Sequence, residues 1–302
     1  MQKKKNITLL IVLIGLIILT IGVSFYTPSS ATDYDKKVFS LSNTNLVDRI
    51  EIKSSNEENV FTLSGRQWEL NGNFIADLNR INDLFTILEK VNARRRVSGI
   101  EKENALKLLS EIGIEVSVYS ENEIRIHYKI VENKKQTLTY FLADDGEVFV
   151  GNVPGQNYHI ATLFKLTGKE WRTNYVFASN WTTLEKMNIS YPDEQGFSII
   201  YDPSGYYIEN VIELDTSKMY NYLEQVSFLQ VVTFLDKQPA KTGKNKLSIK
   251  VQDAGDNAIN LSFFSNEEGM YYGLIDSLEW AVFRSKDVEN LKKKRNWFEN
   301  KN

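Results

Sequence analysis

Long parts of the chain alternate apolar and polar residues with a period near two, which is typical of half-buried antiparallel strands. The alternating segments come in two sets, which start at Asp48, Val60 and Gln67 and at Glu185, Phe197 and Gly205. Further alternation follows in IEVSVYS from Ile114 and in LSIKVQD from Leu247. The pattern therefore predicts antiparallel strands in both halves of the chain.

Two stretches have the periodicity of amphipathic helices instead, with apolar residues that step by 3, 4 and 3 positions. The apolar positions are Ile81, Leu84, Leu88 and Val91 in the first stretch and Met219, Tyr222, Val226 and Leu229 in the second. Each stretch starts at an aspartate, Asp77 or Asp215, which suits a helix N-cap because its carboxylate accepts hydrogen bonds from free amides of the first turn. We expect one helix with one buried face in each half.

The four apolar positions of each helix and its aspartate correspond at a spacing of 138 residues, which predicts a tandem repeat. Each half closes on a tryptophan, Trp171 or Trp297, where the spacing falls to 126 residues, and we attribute the difference to an additional helix from Lys102. The predicted fold class is α+β, with an N-terminal transmembrane helix followed by two repeats of antiparallel strands, helix and antiparallel strands. The predicted domains are 1–31 (cytoplasmic stub and anchor, or signal peptide), 32–178 (first repeat) and 179–302 (second repeat), with the boundary near Ser179–Thr183.

The segment Ile7–Tyr26 contains no charged residue and follows three lysines, Lys3–Lys5. About 20 helical residues span the roughly 30 Å hydrocarbon core of a bilayer, and flanking lysines favour the cytoplasmic side. We therefore expect a retained, single-pass inner-membrane anchor with residues 32–302 in the periplasm. A cleaved signal peptide is the alternative, because Ser29 and Ala31 are small residues at cleavage-type spacing.

The charge and the cysteine content of the chain exclude several classes of function. The 302-residue chain has a formal charge of −3, and removal of the three N-terminal lysines takes the remainder to −6. A mildly acidic domain is not expected to bind nucleic acid, which requires clustered lysine and arginine. The chain has no cysteine, so disulfides, thiol nucleophiles and zinc–thiolate sites are excluded.

Several short motifs resemble a family known as domain of unknown function 4340, found in membrane-anchored bacterial proteins. The motifs are DRIEI from Asp48, WELNG at Trp68–Gly72, GIEVSVY at Gly113–Tyr119, the turn at Pro154–Gly155 and EWR at Glu170–Arg172. The resemblance covers about Val38–Phe177 and, more loosely, the second half. It implies a repeat α+β envelope protein of the kind often encoded beside gliding-motility-type ABC transport components, and it brings no catalytic residues.

Few residues are candidates for catalysis. His127 alternates with apolar residues in EIRIHYKI, which predicts a strand residue on a polar face, and His159 follows PGQNY in a loop. Neither has a second histidine or a cysteine nearby, so we expect no metal and no cofactor. Asp144 and Asp145 pair two carboxylates, as acid–base catalysis can use, but an aspartate followed by glycine between strands predicts a hairpin turn. NEEG at Asn266–Gly269 predicts the corresponding turn of the second half.

The remaining candidates are basic runs and tryptophans. NARRRV at Asn92–Val97 and KKKR at Lys292–Arg295 are interpreted as cations in or at the end of a helix, with an acidic partner or lipid headgroups as the alternative. The five tryptophans are assigned to core or inter-domain packing, with an exposed carbohydrate platform as the alternative: Trp68, Trp171, Trp181, Trp280 and Trp297.

The sequence thus predicts no catalytic, cofactor-binding or metal-binding residue. The leading hypothesis is a non-enzymatic interaction or scaffolding module that is held at the membrane through Ile7–Tyr26 and binds a membrane-protein partner. One alternative is an envelope glycan hydrolase that uses Asp144 and Asp145. The other is a secreted periplasmic ligand-binding protein, released at Ala31, whose small-molecule ligand is unknown.

Overall fold

The computed structural model describes residues 2–26, 34–155, 160–177, 183–255, 258–265 and 269–300. Within these residues the chain is α+β, as predicted, with two antiparallel sheets of nine and eight strands. The helices are α1 (Gln2–Tyr26), α2 (Leu78–Lys90), α3 (Gly99–Ile112), α4 (Ile160–Phe164), α5 (Gly168–Trp171), α6 (Thr216–Ser227) and α7 (Ser285–Leu291). The strands are β1 (Arg49–Lys53), β2 (Glu58–Ser64), β3 (Gln67–Leu70), β4 (Phe74–Ile75), β5 (Asn92–Arg96), β6 (Ile114–Ser120), β7 (Glu123–Glu132), β8 (Thr139–Leu142), β9 (Val148–Asn152), β10 (Leu184–Ser190), β11 (Phe197–Asp202), β12 (Gly205–Ile208), β13 (Thr233–Phe234), β14 (Asn245–Asp253), β15 (Ala258–Ser265), β16 (Tyr271–Ile275) and β17 (Glu279–Phe283).

The chain forms two compact units, and each unit contains two separate stretches of the sequence. The first unit consists of Met1–Glu58 and Asp83–Lys165, and the second of Asn59–Asn82 and Leu166–Asn302. Residues 59–82 therefore belong to the second unit although they fall inside the predicted 32–178 domain. The predicted boundary at 178/179 lies outside the described residues.

The first unit is built on strands in the order β1-β6-β7-β8-β9-β5. On one face, α3 packs over a core that includes Leu109, Val131 and Val150, so the additional helix expected from Lys102 is confirmed and starts at Gly99. A group of aromatic rings is also buried in this unit. The ring centroid of Phe39 lies 4.9 Å from that of Phe141 and 5.7 Å from that of Tyr128. These contacts supply the core that a protein without disulfides needs.

The second unit contains the eight-stranded sheet, in the order β12-β11-β10-β14-β15-β16-β17-β13. One face of that sheet forms a continuous core with α6 and α7, which includes Ile249, Phe263, Phe283, Tyr222 and Val288. The same unit also holds the β2–β3 hairpin and β4, with Glu69 opposite Ile75 and Leu70 opposite Phe74.

Elements of the two halves correspond at the spacing found in the sequence. β3 and β12 lie 138 residues apart at both ends, and α2 and α6 both start 138 residues apart. The eight apolar helix positions predicted to be buried are all at most 2% exposed. The strand order β6-β7-β8-β9-β5 of the first half recurs in the second half, where the corresponding strands are arranged as β14-β15-β16-β17-β13.

Both predicted helix caps are present. The Oδ1 atom of Asp77 accepts from the amides of Asn79 and Arg80 at 3.0 and 3.1 Å. The Oδ1 atom of Asp215 accepts from the amide of Lys218 at 3.0 Å. The aspartates therefore satisfy donors that the first helical turn leaves free.

The end of each half corresponds differently from the prediction. The amide of Asp77 donates to the carbonyl of Trp171 at 2.8 Å, and the amide of Asp215 donates to the carbonyl of Phe298 at 2.8 Å. The residue that matches Trp171 is thus Phe298 and not Trp297, and both matched rings are 0% exposed. Two adjacent aromatics made the sequence comparison ambiguous by one residue, and backbone pairing resolves it.

The N-terminal helix α1 has 25 residues, and between Ile7 and Leu19 eleven of its large apolar side chains are 48–67% exposed. None of the helices in the described residues combines the length and the apolar character that crossing a membrane requires. The transmembrane assignment of Ile7–Tyr26 is therefore not confirmed.

Candidate functional site

His127 is the one described residue of the catalytic candidates that has charged partners on two sides. It lies on β7, opposite Ser117 of β6, and its side chain is 28% exposed. Its Nδ1 atom contacts the carboxylate of Asp144, and its Nε2 atom lies 3.3 Å from Oε1 of Glu115. Lys129 lies 3.4 Å from the other oxygen of Glu115.

This arrangement favours the charged form of the imidazole. Partial burial opposes the charge, but the hydrogen bonds to Asp144 and Glu115 outweigh burial and raise the pKa of His127. Only the imidazolium can donate from both ring nitrogens at once, and each donation here goes to a carboxylate. A histidine held in this way links β6 and β7 to the turn at Asp144.

The predicted hairpin turn at Asp144 and Asp145 is confirmed. The amide of Gly146 donates to the carbonyl of Ala143 at 3.0 Å, and Gly146 adopts a φ of +81°, which favours glycine. Asp145 accepts from the amide of Glu147 at 2.9 Å, which stabilises the turn. No group of three or more histidine, aspartate or glutamate side chains among the described residues could hold a metal ion.

The basic runs lie elsewhere than predicted. Asn92–Arg96 forms β5 and not a helix end; there Arg95 pairs with Glu101 at 2.6 Å and Arg96 with Glu147 at 3.6 Å. Lys292–Arg295 follows the end of α7 instead of lying within it. His159, Trp181 and residues 266–268 of the second predicted turn lie outside the described residues.

A cleft of about 460 Å³ lies in the second unit, and we call it the Trp68 cleft. It is formed by β3, the junction of β4 with α2, the segment after α5 and the end of α6. Its buried wall includes Trp68 and Phe177, while three of its apolar side chains stand open to solvent: Leu78 at 66%, Phe228 at 61% and Tyr175 at 41% exposure. The rings of Tyr175 and Phe228 lie 6.1 Å apart.

The Trp68 cleft is suited to apolar contact. Helix α2 starts at the edge of the cleft. The carboxylate of Asp77 already accepts from the amides of Asn79 and Arg80, so these donors are not open to an anion. Its volume is within the range of about 300–1,000 Å³ found for ligand pockets, which are mostly apolar with few polar groups. Exposed large apolar side chains grouped around one cleft are typical of surfaces that bind a partner or a ligand.

One wall of the cleft is fixed by Arg172 of the EWR motif. Its Nη1 donates to both carboxylate oxygens of Glu279, at 2.8 and 2.6 Å. Its guanidinium lies 4.2 Å from the ring centre of Phe74 and 4.0 Å from that of Phe234. The next residue, Thr173, lines the cleft and donates its amide to the carbonyl of Ile75 at 2.9 Å.

The other two residues of EWR have structural roles as well. Glu170 completes a capping box with Thr167 at the start of α5, and Trp171 is fully buried beside Phe61, with ring centroids 4.8 Å apart. The motif therefore builds the fold around the cleft. Sequence reasoning missed the cleft because its four segments are separated in the chain. The helical spacing puts Leu78 in line with buried Ile81, so its exposure could be found only from the structure.

Comparison of the chain with protein-family models, with curated proteins and with solved structures finds no match. The resemblance drawn from the short sequence motifs therefore stays a prediction.

Proposed function

We propose that this protein is a membrane-attached, non-enzymatic interaction module built from a tandem α+β repeat, and that it binds a membrane-protein partner through the Trp68 cleft. The single observation that carries the proposal is the cleft itself, where Leu78, Phe228 and Tyr175 expose apolar surface around a space of about 460 Å³. Burial of such surface is the main favourable contribution to most protein association.

Attachment to the inner membrane is supported by α1. Its apolar side chains from Ile7 to Leu19 are not covered by any other part of the chain that the structure describes, and a helix of 25 residues extends about 37 Å at 1.5 Å per residue. This part of the proposal rests on those side chains and on the lysines that precede them, not on a detected span. The domain that follows would face the periplasm, where tethering keeps it at high effective concentration near membrane partners.

A binding role is also supported by the surroundings of the candidate catalytic residues. Both nitrogens of His127 contact carboxylates, and Asp144 and Asp145 stabilise a turn. The occupant we propose for the cleft is an apolar segment of the partner, because the cleft presents ring and aliphatic surface with its one capping carboxylate already engaged. If the resemblance in the sequence holds, an ABC transport component is the first partner to test.

A second candidate is a ligand-binding protein, favoured by the volume of the cleft, which would hold a small apolar molecule. The two candidates differ in what the cleft contacts in native membranes. A photo-crosslinking amino acid in place of Leu78 should capture one membrane protein, whereas the same group at Ile212, which is 99% exposed and outside the cleft, should not.

A second substitution makes that result specific. Phe228→Ala, added to the crosslinking variant, should reduce the crosslink severalfold because it removes one apolar wall. Leu78→Thr is the matched variant for binding measurements, since Thr216 occupies the corresponding position at the start of α6. A crosslink of equal yield at positions 78 and 212, or a small molecule recovered from the cleft without a protein, would refute the interaction module.

A further inference from the structure

The eight-stranded sheet has a second face that does not belong to the core. Strand pairing aligns Phe264, Tyr272 and Val282 in one row across β15, β16 and β17. The next row contains Leu274 and Trp280. These five residues are half-buried, lie outside the core cluster of the unit, and form what we call the outer face.

The outer face combines aromatic and aliphatic groups. The rings of Phe264 and Trp280 lie 5.3 Å apart, and Tyr272 and Val282 line an open depression of about 590 Å³ together with Leu235, Pro239 and Met270. Aromatic side chains with one apolar side and one polar atom are enriched where proteins meet the headgroup region of a bilayer.

The same surface carries a concentrated positive charge. Between positions 237 and 252 the chain contains five lysines and no acidic residue, although the protein as a whole has a net charge of −3. All five lysines are exposed: Lys237, Lys241, Lys244, Lys246 and Lys250. Lys250 is paired with Asn188 on one side and Asn260 on the other, so it projects from the outer side of the sheet beside the apolar rows.

The start of the loop that carries the first three lysines, at Lys237 and Pro239, also lies on this side. Lys237 and Pro239 line the same depression as Tyr272 and Val282, and the amide of Gly243 donates to the carbonyl of Ser265 at the end of β15, at 3.0 Å. The nearest carboxylate of the loop, Asp236, is paired with Lys169. Asp236 also lies close enough to the neighbouring Lys237 for the two charges to act on each other, so this acid offsets part of the positive charge of the run.

We propose that the outer face and its lysines dock on a membrane surface that contains anionic phospholipid. Each lysine near an anionic leaflet adds electrostatic attraction to the lipid headgroups. Neighbouring tryptophan, tyrosine and aliphatic side chains enter the boundary between headgroups and acyl chains, so the lysines and the apolar rows of this surface both find matching partners in the bilayer. The inference rests on the proposed membrane attachment, which would bring the second unit within reach of the lipid. It adds a second, charge-dependent contact that holds the domain against the bilayer.

The absence of cysteine makes a site-directed label practical in the full-length chain. A nitroxide would be attached to Leu274→Cys on the outer face, with Val282→Cys as a second variant if the first fails to fold. Ile14→Cys reports on α1, and Leu278→Cys reports on an 86% exposed turn of the same sheet. Each protein would be reconstituted in vesicles of phosphatidylcholine alone or with about one-third phosphatidylglycerol, and the label's accessibility to oxygen and to a water-soluble nickel complex would be measured.

We expect the Leu274→Cys label to enter the lipid interface only in vesicles with phosphatidylglycerol, while the Ile14→Cys label is immersed in both. Combining Leu274→Cys with Lys246→Ala and Lys250→Ala should weaken docking by about fivefold per lysine. The matched control removes two exposed lysines from a turn of the first unit, Lys134→Ala with Lys135→Ala, and should leave docking unchanged.

The outcomes separate the two proposals. A Leu274→Cys label that stays aqueous in both lipids, with Ile14→Cys immersed, overturns outer-face docking and leaves the attachment intact. Equal immersion in both lipids, or equal effects of both lysine pairs, also overturns it, because the charge would then have no role. An aqueous Ile14→Cys label contradicts the membrane attachment itself.

Discussion

Replacement of Arg172 by alanine should destabilise the second unit selectively. Arg172 is 17% exposed and its partner Glu279 is 25% exposed, so both charges of the pair are largely removed from water. The guanidinium also lies against the rings of Phe74 and Phe234. The substitution removes the ion pair and both ring contacts together.

The magnitude follows from these contacts. A cation against an aromatic ring contributes about 1 kcal/mol when it is partly desolvated, so the two rings account for about 2 kcal/mol. Leaving the carboxylate of Glu279 without its donor costs a further 1–2 kcal/mol or so, since residual exposure lets water compensate in part. We therefore expect Arg172→Ala to lower the free energy of unfolding by about 3–4 kcal/mol. Arg172→Lys should recover less than half, because an ammonium lacks the planar guanidinium that meets the carboxylate and the rings.

The assay is urea unfolding of the full-length protein followed by tryptophan fluorescence, because all five tryptophans belong to the second unit. The matched control is Lys169→Ala, which removes a nearby cation paired with Asp236, where the two side chains are 45% and 85% exposed. An exposed pair contributes little, so the control should change stability by less than about 1 kcal/mol. Equal effects of the two substitutions, or full recovery by Arg172→Lys, would refute the reasoning.

Four further outcomes are expected. Leu88→Ala should lower the free energy of unfolding by about 2–5 kcal/mol because the side chain is 0% exposed; an unchanged thermal melt would count against its core position. The stabilising contribution of His127, whose pKa is raised in the folded protein, should be complete below its unfolded pKa of about 6.5 and be lost as the pH rises through the folded value. The difference in melting temperature between wild type and His127→Gln should therefore shrink from pH 5.5 to pH 8.5, and a difference that grows would contradict the ion pairs. Gly273→Ala should cost about 1–3 kcal/mol by chemical unfolding, because a Cβ there would overlap the buried ring of Phe283. The native protein should need detergent for extraction and retain its N-terminal peptide in mass spectrometry; release by osmotic shock with a start at Thr32 would favour the signal peptide.

Local periodicity made much of the fold predictable from sequence. The steps of 3 and 4 residues that identified α2 and α6 reflect one buried face of each helix, and strands such as β1 and β3 alternate because one side packs on a core. Asp77 and Asp215 could be assigned as caps because capping is decided within four residues. The repeat spacing was visible for the same reason.

What sequence could not supply depends on pairing between distant segments. Asn92–Arg96 is too polar to identify as a strand, and it becomes one by pairing with β9. The contact of His127 with Asp144 arises because a hairpin turn folds back over β7, 17 residues away in the chain. The ring contacts of Arg172 and the Trp68 cleft likewise join segments that no periodicity connects.

The central claim is that the protein works by binding at the Trp68 cleft and not by catalysis. The most direct measurement is rescue of the cellular role of the gene by two sets of folded variants at equal abundance. Leu78→Thr and Phe228→Ala should lose rescue, whereas alanine at His127, Asp144, Asp145 and His159, singly and together, should retain it. Retained rescue by the cleft variants, with loss of rescue by any folded alanine variant that still binds its membrane partner, would contradict the account.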